Sequence, residues 1–321
     1  MNKGYFYGLD FLKVISIFII VMWHSALFKG ILHSGYLAVE LFFIISGFLL
    51  CNTYEIKKYS IKEFVKSRLR KLYFPYVVAY VFLAIVKIVF RSPFKYSKWY
   101  SLITELLCIQ GIGIKGSGQA NYPMWYLSVL IIVSIVIYTM LTITPNRVFN
   151  ITGTIIIFIG IVMLTENTDL ELFDYIHGIY QPVIRGITEM LIGVMLFRLP
   201  RIRINDAIPF VMVTILISMM FSENTNDFMF LVIAAISVYF VVSAKFETIG
   251  NNIIVRKISE IELYMYLNHA MIIMLVTTIF PALHINIAIE IIFLFAALII
   301  WSSIFGILIK LCYKLSKKCT G

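Results

Sequence analysis

The sequence predicts an all-α, polytopic membrane bundle of about ten transmembrane helices with both termini cytoplasmic. Of its 321 residues, 61% are hydrophobic and 14% are charged, whereas soluble domains have roughly 45–50% apolar and about 25% charged residues. The mean hydropathy is +0.93, and apolar runs recur along the whole chain. These values exclude a secreted disulfide scaffold, a nucleic-acid-binding domain and a disordered tail.

The predicted spans follow from windows of about 20 mostly apolar residues, the length that crosses a bilayer. No long polar stretch separates them, so residues 1–321 are expected to form a single membrane domain. The first span has no convincing cleavage site behind it and is interpreted as a retained helix rather than a signal peptide. The ten spans are 9–28, 36–54, 73–91, 124–144, 150–165, 180–198, 207–222, 227–244, 262–280 and 286–312.

Basic residues sort to one side of this predicted topology. Nineteen of the 27 lysines and arginines fall at the termini and in the loops on their side, and five fall in the opposite loops. The positive-inside rule therefore places both termini in the cytoplasm. The four cysteines form no CxxC pair, so neither a metal site nor a redox motif is predicted.

The first helix carries a predicted polar stripe. Lys13 and His24 are eleven residues apart, which offsets them by about 20° on a helix and separates them by roughly 16 Å along its axis. Asp10, one turn before Lys13, is a potential ion-pair partner. Charged groups inside spans mark functional sites. The alternative is that Lys13 snorkels to the cytoplasmic interface and His24 lies at the lipid boundary.

Glu40 is predicted one turn below the outer surface on the second helix, at the depth of His24 on the first. A carboxylate there can fix the tautomer of an imidazole and raise its basicity, as a general base requires. Our hypothesis is that Glu40 orients His24. Arg185 and Glu189 are also expected in the outer layer, where ion pairs between helices explain them equally well, and His269 is expected toward the cytoplasm.

The cytoplasmic loop before the third span ends in Arg68, Arg70 and Lys71, directly before an apolar helix. Attraction to lipid phosphates accounts for such charge. Guanidinium groups at a helix mouth are equally suited to hold the phosphates of a soluble cytoplasmic donor, and the sequence does not separate the two.

Several of these residues together resemble membrane acyltransferase family 3. Lys13 and His24 match its Arg-x10-His signature with lysine in place of arginine, and Lys71 likewise replaces the second arginine of its Arg-x-x-Arg. The match extends over nearly the whole chain in order. The further matching strings are Phe42-Phe43-Ile44-Ile45-Ser46-Gly47-Phe48, Met124-Trp125-Tyr126-Leu127 and Tyr266-Leu267-Asn268-His269.

The resemblance implies transfer of an acyl group, most often acetyl from cytoplasmic acetyl-CoA, to a hydroxyl of a sugar or cell-surface polysaccharide in a bacterial plasma membrane. Acyl-CoA is then a donor substrate and not a bound cofactor, and partner proteins of a glycan pathway are possible. His24, with Glu40 and Lys13, would carry catalysis, either as general base or as acyl carrier. Donor binding would fall to Arg68, Arg70, Lys71 and Ser46, with support from Asp10, Trp125, Arg185, Glu189 and His269.

Two alternatives remain open at this point. Buried charges also mark the substrate pathways of transporters, so a polysaccharide exporter is the second interpretation, although no paired interrupted helices of the kind found in transporter repeats are evident. A noncatalytic membrane partner of a biosynthetic complex is the third. It predicts that His24 and Lys13 can be replaced without loss of surface-polymer modification.

Overall fold

A computed structural model describes residues 5–90, 100–114, 121–166, 170, 173–244, 247–279 and 286–319. In these ranges the chain forms thirteen α-helices and one short hairpin. The helices are α1 (Tyr7–His24), α2 (Ala38–Lys57), α3 (Ile61–Arg68), α4 (Phe74–Val89), α5 (Tyr100–Leu106), α6 (Trp125–Ile143), α7 (Asn146–Thr165), α8 (Gln181–Arg198), α9 (Ala207–Phe221), α10 (Asp227–Ser243), α11 (Glu247–Gly250), α12 (Ile253–Ile279) and α13 (Ile287–Cys319), and the antiparallel strands are β1 (Tyr175–Ile176) and β2 (Ile179–Tyr180).

The predicted all-α membrane class is confirmed, and each of the ten predicted spans coincides with a helix. Seven helices in the described part of the chain are long and apolar enough to cross a membrane, counting 61–89 as one. The helix α8, which carries Arg185 and Glu189, and the shorter apolar helices α9 and α10 are outside that set. The number ten and the cytoplasmic placement of both termini therefore stay predictions.

The helix α2 lies at the centre of the bundle and packs most extensively against α8. Two glycines permit this contact. A methyl group added to Gly47 would lie 1.9 Å from the carbonyl oxygen of Met190, and one added to Gly193 would lie 2.0 Å from that of Ile44. Small residues allow helix backbones to approach closely in membranes, so this pair of glycines sets the distance between α2 and α8.

The helix α3 begins with a capping box, in which the Ser60 hydroxyl accepts from the Glu63 amide and the Glu63 carboxylate accepts from the Ser60 amide. A single π-helical turn, Leu69–Tyr73, joins it to α4. Pro75 has no N–H for the carbonyl four residues before it, which is the physical reason for irregular hydrogen bonding here. The predicted donor-binding residues Arg70 and Lys71 lie on this turn.

The helix α12 begins at Ile253, nine residues before the predicted start of the ninth span. At 1.5 Å per residue those residues add about 13 Å of helix. Side chains late in α12 therefore lie farther from its first turn than the sequence suggested. The helix packs along α1 and α13.

The segment between α4 and α6 is partly buried in the bundle. Glu105 of α5 is 1% exposed, and its carboxylate accepts a hydrogen bond from Tyr80 of α4 at 3.1 Å. The amide of Gly111 donates to the Ser128 hydroxyl of α6 at 3.0 Å. The first contact joins α5 to α4, and the second joins the segment after α5 to the first turn of α6, next to Trp125.

Candidate functional site

Two histidines from different helices face each other. His24 is the last residue of α1 and His269 lies in the second half of α12, with 5.2 Å between their ring centroids and 37° between their planes. The prediction that His269 lies toward the cytoplasm is wrong. It followed from starting the ninth span too late, since the longer α12 raises His269 to the depth of His24.

The hydrogen bonds of His269 define its tautomer. Its Nδ1 lies 2.6 Å from the carbonyl oxygen of Tyr266, and because a carbonyl only accepts, Nδ1 must carry the proton. The neutral ring then has its lone pair on Nε2. This nitrogen is buried without a hydrogen-bond partner, in a residue that is 0% exposed.

A cavity of about 30 Å³ opens beside His24. This is more than the roughly 10–15 Å³ that one water molecule needs, so the cavity is large enough to hold water. The cavity lies at the end of α1 that the sequence places outside, and its wall combines one imidazole, one guanidinium and five aromatic rings. The lining residues are Ile20, Trp23, His24, Tyr36, Val39, Tyr122, Trp125, Phe173 and Arg185.

Glu40 forms an ion pair with Arg185 of α8, and both side chains are almost fully buried, at 0% and 2% exposed. The hypothesis that Glu40 orients His24 is therefore wrong in its contact, since the structure gives no hydrogen bond between those two residues. The close α2–α8 packing turns Glu40 toward Arg185 instead. Glu189 lies within electrostatic range of both Glu40 and Arg185.

Arg185 connects this cluster to the cavity. Its guanidinium carbon lies 5.0 Å from the centre of the Trp125 ring, a distance at which a cation is attracted to an aromatic face. The interhelical ion pair considered for Arg185 is present, with Glu40 as the partner. The predicted supporting residues Arg185, Glu189 and Trp125 thus lie together.

Lys13 lies in a second polar cluster between α1 and α12. Its Nζ is 2.9 Å from Asp10, as predicted, 3.1 Å from Glu262 and 3.1 Å from the Ser259 hydroxyl. That hydroxyl donates to Asp10 at 2.7 Å. The three N–H donors of a lysine match these three acceptors. The side chain is directed into this cluster and does not snorkel to the interface.

Sequence reasoning missed Glu262 and Ser259, although a signal was available for one of them. Glu262 is seven residues before His269, which places the two on one helix face within about 20°. This is the same relation that linked Lys13 to His24 on α1. Two matching faces, each with one charged residue and one histidine, therefore meet along α1 and α12.

Ser46 and Tyr126 lie between the two clusters. Their hydroxyl oxygens are 3.4 Å apart, and Tyr126 is within electrostatic range of Glu262, Glu189 and Arg68. A central polar side chain therefore stands between the Lys13 cluster and the Arg185 cluster. Sequence reasoning had not given Tyr126 a role.

The predicted donor-binding cations differ in their exposure. Arg68 is half-buried, with its guanidinium 5.0 Å from the Phe64 ring centre. Arg70 and Lys71 are exposed, and the Arg70 guanidinium lies 4.5 Å from the ring of Tyr313 near the end of α13. Arg68 and Lys71 lie close enough to interact electrostatically, while the Arg70 guanidinium packs on Tyr313.

Comparison with known proteins gives one result. A family model described as an acyltransferase domain matches residues 6–309, nearly the whole chain. No match is found among curated proteins or among solved structures. The matched range includes His24 and His269, both charged clusters and the π-helical turn Leu69–Tyr73, which we call the basic turn because it carries Arg70 and Lys71.

Proposed function

Because this chain belongs to acyltransferase family 3 and is a multi-pass membrane acyltransferase, we propose that it moves an acyl group, most often acetyl, from cytoplasmic acyl-CoA to a hydroxyl of a sugar or cell-surface polysaccharide. The proposed location is a bacterial plasma membrane. Proteins of a glycan pathway are its proposed partners.

The donor is proposed to bind at the basic turn. Exposed Arg70 and Lys71 are available to the phosphates of coenzyme A, for which guanidinium and ammonium groups are suited. Arg68 is directed inward, where it interacts electrostatically with Tyr126. The thioester would pass Arg68 and the Ser46–Tyr126 pair on its way from the turn to His24.

His24 is the proposed general base. It takes the proton of the acceptor hydroxyl while the oxygen bonds to the thioester carbonyl carbon. The C–S bond then breaks, and the leaving coenzyme A thiolate takes up the proton from the imidazolium. Base assistance of this kind typically contributes 10²–10⁴-fold.

The outer cavity is the proposed acceptor site. The cavity admits water-sized groups beside His24, so an acceptor hydroxyl can enter there while the rest of the acceptor lies on the aromatic wall. Lys13 is proposed to act by holding α1 against α12, since its three donors are engaged by protein groups. This replaces the catalytic role that the resemblance implied for Lys13.

The observation that carries the proposal is the position of His24. It lines a cavity that also contains a guanidinium, within a chain whose family transfers acyl groups. The test compares ester-linked acetyl groups on surface glycans by NMR in a strain that lacks the gene, restored with the wild type, with His24→Ala or with His177→Ala. His177 is an exposed histidine paired with Glu166 outside the cavity, which makes it the matched control.

We expect the wild type and His177→Ala to restore acetylation, and His24→Ala to restore almost none while inserting in the membrane at normal levels. Normal acetylation by His24→Ala would overturn the proposal and favour a noncatalytic partner. Loss of the polymer itself from the surface, with its esters intact, would favour the exporter interpretation. An acyl group found on His24 after rapid quenching would show that His24 carries the acyl group and does not act only as a general base.

A further inference from the structure

We propose that His269 is a positioning residue that acts through His24, by accepting an N–H hydrogen bond from the His24 ring during proton transfer. This inference rests on the proposed function, since it concerns the same reaction. It assigns to α12 the orienting role that sequence reasoning had given to Glu40 on α2.

His24 lies beside a second imidazole and not beside a carboxylate. The ring contact of His24 is with His269, while Glu40 is held by Arg185 in a buried ion pair. No carboxylate is therefore placed to orient His24 in the described structure. The nearest ring acceptor is on His269.

The tautomer of His269 leaves one ring nitrogen able to accept a hydrogen bond. The Tyr266 carbonyl fixes its proton on Nδ1, which leaves Nε2 as a hydrogen-bond acceptor. A buried acceptor without a partner is costly, and few persist in folded proteins. The unpartnered Nε2 therefore marks a place where a donor is expected to arrive during the reaction.

The separation of the two rings suits a hydrogen bond between them. In an imidazole each nitrogen lies about 1.1 Å from the ring centre, so two rings joined end to end by an ordinary N–H···N bond have centres about 5 Å apart. The centroids of His24 and His269 are 5.2 Å apart. The bond therefore needs no change in the ring separation: His269 stays on the Tyr266 carbonyl, and the His24 ring turns one N–H toward Nε2.

Four titratable side chains lie around the pair. Tyr266 packs against His269 with ring centroids 5.5 Å apart, and Tyr126 packs against Tyr266 at the same distance. Arg185 lines the cavity beside His24, and Cys108 is within electrostatic range of Tyr266. The ring contact between the two histidines places the lone pair of His269 Nε2 beside His24. This lone pair is the acceptor that we assign to the His24 N–H.

The number of protons on the two histidines is the same before and after the transfer. His24 receives the proton of the acceptor hydroxyl on one ring nitrogen, and its other N–H donates to Nε2 of His269, which keeps its own Nδ1 proton. When the thiolate leaves, the first nitrogen returns its proton to sulfur, and both rings are neutral again. His269 thus holds the tautomer of His24 that presents a lone pair to the acceptor.

Two amide variants separate this role from a structural one. His269→Asn keeps a donor for the Tyr266 carbonyl but has no atom at the position of Nε2. His269→Gln does the reverse, because its longer side chain places an amide oxygen near Nε2 and loses the donor to Tyr266. The measurements are kcat and KM for acyl-CoA and acceptor in proteoliposomes, together with the thermal midpoint of each variant.

We expect His269→Asn to lower kcat roughly 10- to 100-fold, with both KM values within about twofold, and His269→Gln to retain most of kcat although it unfolds at a lower temperature. Activity that follows stability, with Asn at or above Gln, would overturn the inference. So would wild-type kcat in both variants. If the proposed function itself is wrong, the wild-type protein transfers no acyl group in this assay. That result differs from every outcome in which only the role of His269 is wrong.

Discussion

Glu40 of α2 and Arg185 of α8 form a buried ion pair at the most extensive helix contact of the bundle. Removing one partner leaves the other charge uncompensated in a low-dielectric interior, which costs about 3–5 kcal/mol. Glu189 stays within electrostatic range of Arg185 in Glu40→Gln, so we expect this variant to lower the free energy of unfolding by the lower end of that range, about 3 kcal/mol. Denaturant titration of the purified protein in detergent, followed by intrinsic tryptophan fluorescence, measures it.

The double variant Glu40→Gln with Arg185→Met is the control for this prediction. It removes both charges, and replacement of a whole buried pair by neutral groups is often close to neutral for stability. We expect it to be more stable than Glu40→Gln alone. If the double variant loses as much unfolding free energy as Glu40→Gln and Arg185→Met lose together, the two residues do not interact.

Gly47 predicts a second stability effect at the same helix contact. An added methyl group would lie 1.9 Å from the Met190 carbonyl oxygen, so α2 and α8 must separate to admit it. Overpacking typically costs about 1–3 kcal/mol, and occasionally more. We expect Gly47→Ala to lower the thermal midpoint markedly. In the control Gly306→Ala the methyl meets the Tyr264 ring at 2.8 Å, which can move, so a loss equal to that of Gly47→Ala would contradict the prediction.

The helices themselves were predictable from the sequence because each apolar stretch must satisfy its own backbone hydrogen bonds in lipid. All ten predicted segments became helices. Their ends were less accurate where polar residues continue a helix beyond the apolar stretch. The nine additional residues of α12 include Ser259, and a hydropathy window does not detect a helical turn of that composition.

Pairing of buried charges was only partly predictable. The Asp10–Lys13 pair is local, three residues apart on one helix, and follows from helix periodicity alone. The partner of Glu40 depends on which helices pack together and on how far each is rotated. Glu40 was close in chain and in depth to His24, yet the Gly47 contact placed it against Arg185.

Lys13 and Glu262 predict an energetic coupling between α1 and α12. Their charged atoms are 3.1 Å apart, and both side chains are largely buried, at 17% and 15% exposed. Contacting charges in one network commonly couple by about 0.5–3 kcal/mol. A double-mutant cycle with Lys13→Met and Glu262→Gln should therefore be non-additive, with the double variant more stable than Lys13→Met alone.

A functional readout of the same cycle tests the role given to Lys13. If Lys13 acts by holding α1 against α12, Lys13→Met should lower kcat and the double variant should recover part of it, with KM for acyl-CoA little changed. A KM for acyl-CoA raised about tenfold or more in Lys13→Met, and not relieved in the double variant, would show a direct contact with the donor instead.

If Arg70 and Lys71 bind the phosphates of coenzyme A, the affinity for the donor depends on those phosphates. A hydrogen bond to a charged group contributes about 1.5–3 kcal/mol, so Arg70→Ala and Lys71→Ala should each raise KM for acetyl-CoA by roughly tenfold or more. The same variants should leave KM unchanged for acetyl-pantetheine, which carries the thioester without the nucleotide phosphates. Lys62→Ala removes another exposed cation from the same cytoplasmic stretch and should change neither value. If all three variants instead behave alike with both donors, and differ from wild type only in vesicles of anionic lipid, the basic turn binds lipid phosphates, and the donor must be held elsewhere.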